Sequence, residues 1–262
     1  MKGLYAAFLV ESLKVRKSKM LWITFLVFAF VVVMTGLLIF ISMHPDLINS
    51  ASLLSTKASF ISNVDWPSYF VLLYQVISAI GLIGFSFVIS WIFGREYSDR
   101  TVKDLLALPV SRSMIVISKF IIVIIWCILL FLVIFFLGLL TGIIIKIPGW
   151  SGETTVHAFY IFSITSLLTI LVSLPVAFFA SCGRGYLLPI GFIILIMIMT
   201  QFFVAGIPGI TPFFPWAIPA VFSGATSPEG SHLELVSYLI VLLTGLAGIT
   251  GTAVWWRFAD QS

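Results

Sequence analysis

Long apolar runs separated by shorter polar connections make up most of this chain. Each run is too long for a buried strand and long enough to cross the roughly 30 Å hydrocarbon layer of a bilayer as a helix. None carries a charged residue near its middle. The pattern predicts an all-α polytopic membrane protein, with residues 1–262 forming a single transmembrane domain. The predicted spans are about 20–43, 69–93, 116–145, 157–182, 187–205 and 235–256.

Two segments outside the spans are also patterned. Residues 1–19 place Leu4, Phe8, Leu9 and Leu13 on one helical face, with Glu11, Lys14 and Lys17 away from it. This favours an amphipathic helix on the membrane surface, and a merely basic flank is the alternative.

Residues 206–233 are rich in proline and aromatic residues, too apolar for a free loop and too broken for a span. We expect a re-entrant or interfacial element there, on the outer face.

Composition and charge exclude several classes of protein. The chain is 61% hydrophobic and 9% charged, whereas soluble domains carry about 25% charged residues. Twelve of the 14 Lys and Arg flank the spans on one side, and only Lys57 and Lys146 lie on the other. The positive-inside rule therefore predicts that both termini are cytoplasmic, in a multi-pass protein of a bacterial inner membrane.

Catalytic and metal-binding chemistry is not indicated. The chain has no Gly-x-x-x-x-Gly-Lys-Ser/Thr phosphate-binding loop, so we expect no ATPase site and no catalytic residue. His44, His157 and His232 are scattered, which makes a metal site unconvincing. Cys127 and Cys182 are interpreted as free, packed thiols. An ion-coupled transporter, which usually keeps ionisable groups in mid-membrane, is a third-ranked hypothesis.

The segment from Arg95 to Arg112 stands out because it carries seven of the 24 charged residues. Ser98 or Asp99 can cap a short helix, and Pro109 would end it. We predict such a helix at about 99–109, lying across the cytoplasmic mouth between two spans. An ordinary polar hairpin connection is the alternative.

This segment contains, in order, Glu96, Thr101, Leu105, Pro109, Ser111 and Arg112. The types and order of these residues resemble the first cytoplasmic loop of type-2 ABC (ATP-binding cassette) exporter permeases. In that family a Glu closes the second span, a Thr opens a short helix and Pro-x-Ser-Arg leads into the third span. Glu11-x-x-Lys14 resembles the family's N-terminal helix, and the layout of the whole chain is similar. Arg100 departs from the pattern, which has Gly before the Thr.

The resemblance implies a half-channel that pairs with a second permease subunit, identical or related, and with two separate ATPase subunits. ATP and Mg would be bound by those partners and no cofactor by this chain. The short helix would dock into a groove of the ATPase. The expected coupling residues are Glu96, Arg100, Thr101, Asp104, Leu105, Pro109, Ser111 and Arg112, with Glu11 and Lys14 in the N-terminal helix.

Small and polar residues within the spans have two interpretations each. Gly138 and Gly142 permit close helix approach, either at a dimer seam or within one subunit. Mid-span polar groups either line a translocation path or make ordinary hydrogen bonds between helices. The candidate path-lining residues are Gln75, Ser78, Thr165, Thr169 and Gln201.

The function predicted is the permease subunit of an ATP-driven exporter, similar in size and layout to bacitracin- or lantibiotic-immunity permeases. The lack of a charged cavity favours an amphipathic or hydrophobic cargo such as a peptide antibiotic, a drug or a lipid-like molecule. The alternative is a membrane anchor or sensor that binds a cytoplasmic regulator and transports nothing.

Overall fold

A computed structural model describes residues 2–44, 64–99, 101, 110–224 and 233–258, and the regular structure in these ranges is helical. Six helices in them are long and apolar enough to cross a membrane, as predicted. A separate N-terminal helix, Lys2–Arg16, precedes them. The first to sixth spans are Lys19–Met43, Trp66–Ser98, Arg112–Ile145, Gly152–Cys182, Leu187–Gly206 and Leu235–Phe258. The all-α, six-span fold class is therefore confirmed.

Part of the predicted coupling helix at 99–109 lies outside the described residues, together with Arg100, Asp104, Leu105 and Pro109. The second span continues to Ser98, about one turn beyond the predicted end. The third span begins at Arg112, where Ser111 caps it by accepting a hydrogen bond from the amide of Met114. The 95–112 segment therefore starts in the last turn of the second span and ends at the first residue of the third span.

The N-terminal helix has the two different sides that its sequence indicates, and its position on a membrane surface stays a prediction. Glu11 lies away from the apolar face and is 2% exposed, whereas Leu13 of the apolar face is 52% exposed. The side with Glu11 packs against the protein and the side with Leu13 faces outward. The protein offers Glu11 cationic partners, and a membrane can accept the apolar side of the helix.

Two spans are interrupted. The second span contains a π-helical turn, Val76–Ile80, between α-helical Trp66–Gln75 and Gly81–Ser98. The fourth span changes from Gly152–Ser173 to Val176–Cys182 around Pro175, where proline removes a backbone donor. π-Helical turns of this kind often mark functional positions.

The core is built around the third span. A Cβ atom at Gly138 would lie 2.7 Å from Leu73, and one at Gly142 would lie 2.5 Å from the ring of Trp66. Both glycines are buried against the second span of the same chain. The structure therefore uses Gly138 and Gly142 for packing within the subunit, which corrects the dimer-seam interpretation.

The segment after the fifth span contains a 3₁₀ helix, Pro208–Phe213, and a short α-helix, Ile218–Phe222. Between them, the indole nitrogen of Trp216 donates a 2.8 Å hydrogen bond to the carbonyl oxygen of Val172 in the fourth span. The described part of the predicted 206–233 element is therefore anchored to the bundle. That it re-enters the membrane stays a prediction.

Candidate functional site

A buried cluster of charges joins three helices at the end of the bundle that carries the N-terminal helix. Lys119 of the third span is fully buried, and Glu11 and Glu96 are each 2% exposed. Nζ of Lys119 lies 3.2 Å from Oε2 of Glu11 and 3.1 Å from Oε1 of Glu96. It also donates to the carbonyl oxygen of Ile92 at 3.2 Å. We call Glu11, Lys14, Arg95, Glu96 and Lys119 the charge cluster.

The other two cations lie at the edge of the charge cluster. Nζ of Lys14 is 3.1 Å from Glu11 and 2.9 Å from Glu96. A terminal nitrogen of Arg95 is 3.5 Å from Glu96 and 3.9 Å from Glu11, and its guanidinium lies 4.5 Å from the ring centre of Trp91. Three cations therefore surround two carboxylates, so neither carboxylate is buried without compensation.

Thr101 connects the charge cluster to the 95–112 segment. Its amide donates to the carbonyl oxygen of Glu96 at 2.9 Å, and its hydroxyl donates to Oε2 of Glu96 at 2.8 Å. A hydrogen bond to a charged acceptor is stronger than a neutral one. Thr101, which follows the second span, is therefore held by the same carboxylate that binds Lys119.

The other flank of the segment is tied to the sixth span. A terminal nitrogen of Arg112 donates to the carbonyl oxygen of Trp256 at 3.3 Å. Trp256 is fully buried, donates from its indole nitrogen to Oγ of Ser181 at 2.9 Å, and meets Tyr97 edge to face. Trp256 thus joins the ends of the second, fourth and sixth spans beside the start of the third.

The structure brings together Glu11, Lys14, Glu96 and Thr101, four of the residues singled out from the sequence. Lys119 was not among them: a lysine in the first turn of a span can reach the membrane interface, but the structure buries and pairs this one. Its position within an apolar run was the only signal. The role of Trp256 had no sequence signal at all.

A cavity of about 320 Å³ lies towards the opposite end, between the second span, the fifth span and the Trp216 segment. Three predicted path residues, Gln75, Ser78 and Gln201, line it. Thr165 and Thr169 do not line it. Both are fully buried, and each hydroxyl donates to the backbone carbonyl four residues earlier.

Comparison with known proteins decides the family. The ABC-2 family transporter protein family matches residues 7–201, well over half of the chain. The chain belongs to this family. It is also 31% identical, over 186 residues, to the bacitracin transport permease protein BCRB of Bacillus licheniformis. That similarity covers 71% of this chain and 88% of the Bacillus protein.

Membership of the ABC-2 family makes this chain a multi-pass permease subunit of an ABC exporter, a subunit type that works with an ABC ATPase. The predicted function is confirmed at this level, and the anchor or sensor alternative is set aside. All five members of the charge cluster fall inside the matched range, whereas the sixth span with Trp256 lies beyond it.

Proposed function

We propose that this permease exports a peptide antibiotic of amphipathic character, as the name of its Bacillus relative suggests for that protein. A complex of two permease and two ATPase subunits would carry out the export. ATP and Mg bind to the ATPase subunits and no reaction is catalysed by this chain. The complex lies in the cytoplasmic membrane of a bacterium, and both termini of the permease face the cytoplasm. The distribution of 12 of 14 cations on one side supports this orientation.

The observation that carries the proposal is the anchoring of the 95–112 segment at both flanks. The Glu96–Thr101 hydrogen bonds fix the first flank to the charge cluster, and Arg112 fixes the second flank to the sixth span. A docked ATPase that moves this segment therefore displaces the N-terminal helix, the third span and the sixth span together. Packed elements of this kind transmit displacement because they are nearly incompressible.

The cavity supports an amphipathic cargo path. Its lining combines Gln75, Thr200 and Gln201 with apolar surface from Leu82 and Met197. Gln75 and Gln201 are exposed at the surface of this chain, where contact with lipid would be unfavourable for amide groups. A second permease subunit facing this surface would enclose the glutamines in a shared, polar-lined path.

Antibiotic susceptibility of the organism that encodes the permease tests the cargo. Deleting the gene should lower the inhibitory concentration of bacitracin or another peptide antibiotic in a panel. The wild-type gene and Glu153→Gln should restore it, and Glu96→Gln should not. Glu153 is a matched control because it is an exposed carboxylate at the start of the fourth span. Unchanged susceptibility to the whole panel would refute a peptide-antibiotic cargo.

A further inference from the structure

The junction between the N-terminal helix and the first span carries an exposed group of cations. Arg16, Lys17 and Lys19 are all exposed, within one turn of chain. The turn itself is tight, because the amide of Lys17 bonds to the carbonyl of Leu13 and Ser18 caps the first span through the amide of Met20. The cations therefore stay at the point where the chain enters its first span.

The exposed surface of the first span shows where this junction lies relative to a membrane. Lys19, Trp22, Leu26 and Phe30 follow one another at helical spacing on the same side of the helix. Trp22 and Leu26 are each 68% exposed, and Phe30 is 62% exposed. Apolar side chains followed by a tryptophan and then a lysine match the order of hydrocarbon, interface and headgroup layers.

The N-terminal helix presents a second stripe that meets the same junction. Tyr5, Leu9 and Leu13 are 65%, 42% and 52% exposed, and helical spacing continues this stripe to Arg16. Glu11 lies buried on the other side of the helix, in the charge cluster. An apolar stripe ending in cations has the pattern of helices that bind acidic membrane surfaces.

From these observations we propose that Arg16, Lys17 and Lys19 form a binding surface for acidic phospholipid headgroups, with Trp22 and the Tyr5–Leu9–Leu13 stripe seated in the adjoining interface. Three cations and no exposed carboxylate between Arg16 and Trp22 make the surface complementary to negative headgroups. The bound lipid contacts the exposed side of the N-terminal helix, while Glu11 joins the buried side of the helix to the charge cluster. This goes beyond the export function and needs neither cargo nor ATPase.

The test uses the full-length permease in nanodiscs of phosphatidylcholine alone, or with one third phosphatidylglycerol, and measures hydrogen exchange of amides in Lys2–Arg16. A cation near an acidic surface contributes about five-fold in binding, so we expect exchange to slow about five-fold or more with phosphatidylglycerol. Phosphatidylserine should act alike, since the charge of the headgroup is what is recognised. Equal exchange in neutral and acidic discs would overturn the proposal.

Two controls separate lipid binding from general effects. The triple variant Arg16→Gln, Lys17→Gln, Lys19→Gln should lose the dependence on acidic lipid, whereas Lys146→Gln, at an exposed lysine after the third span, should keep it. If the triple variant folds poorly, the salt dependence of the wild-type protein is an independent check. Raising salt from about 0.1 M to about 1 M shortens the Debye length from about 10 Å to about 3 Å, and this should abolish the acidic-lipid effect. Persistence of the effect in high salt would contradict an electrostatic site.

Discussion

Nζ of Lys119 lies 3.1 Å from Oε1 of Glu96, and both residues are buried where the second and third spans meet. Such a pair stabilises a protein only when both charges are kept, because either one alone is left buried without compensation. The pair is also shared with Glu11 and with Thr101. The N-terminal helix and the 95–112 segment therefore depend on the same carboxylate–lysine contact.

Replacing Lys119 tests the charge cluster directly. Lys119→Met should destabilise the permease by about 3 kcal/mol, because removing one partner leaves buried carboxylates underpaired. Adding Glu11→Gln to Lys119→Met should recover part of the loss. Thermal unfolding of the purified protein in mild detergent measures both effects. A loss no greater than that of Lys146→Met would contradict the cluster's structural role.

The hydroxyl of Thr101 gives a sharper test of the connection to the segment. Thr101→Val removes the donor to Oε2 of Glu96 and should cost about 1.5 kcal/mol, in the range for a hydrogen bond to a charged group. Thr101→Ser keeps the donor and should retain function. Resistance to the exported antibiotic, measured beside thermal unfolding, checks this. Equal resistance in the two variants would show that the hydrogen bond is dispensable.

Close packing in the sixth span predicts a position-specific effect of a single methyl group. A Cβ at Gly248 would lie 2.5 Å from the backbone nitrogen of Pro175, whereas one at Gly191 would meet nothing within 4 Å. Gly248→Ala should therefore destabilise by about 1–3 kcal/mol. Gly191→Ala should be neutral or slightly stabilising. Similar unfolding temperatures for the two variants would contradict this packing.

The Trp256 indole predicts a measurable coupling between the fourth and sixth spans. Trp256→Phe and Ser181→Ala each remove one side of the 2.9 Å hydrogen bond. A double-mutant cycle of unfolding free energies should return a coupling of about 1 kcal/mol, because a buried neutral hydrogen bond contributes about that much. Additive effects of the two substitutions would mean that the hydrogen bond contributes nothing.

The spans were predictable because hydrocarbon thickness imposes a length and an apolar composition that survive in the bare sequence. Which side of the N-terminal helix packs against the protein was not predictable. Apolar side chains such as Leu13 can face lipid, so periodicity indicates two chemically different sides without saying which one the protein covers. The spacing separated Glu11 from Leu9 and Leu13 but did not show that the protein buries Glu11.

Lys119 and the third-span glycines show that a sequence pattern does not identify the partner of a buried residue. A lysine near the end of a span has the same sequence pattern whether it reaches the interface or pairs with a buried carboxylate. Gly138 and Gly142 indicated a close approach but not the partner helix, which the structure identifies as the second span through Leu73 and Trp66. Such pairings depend on contacts between residues far apart in the chain.

The central claim is that an ABC ATPase binds the 95–112 segment, which Glu96 holds through Thr101. Co-purification tests this claim most directly. The permease would be isolated from its own cells in mild detergent as wild type, Glu96→Gln and Glu153→Gln, and associated proteins would be identified by mass spectrometry. We predict an ABC ATPase with the wild type and Glu153→Gln, and much less with Glu96→Gln. An ATPase recovered equally with all three would contradict the role of Glu96, and its absence from all three under several detergents would contradict the proposed complex.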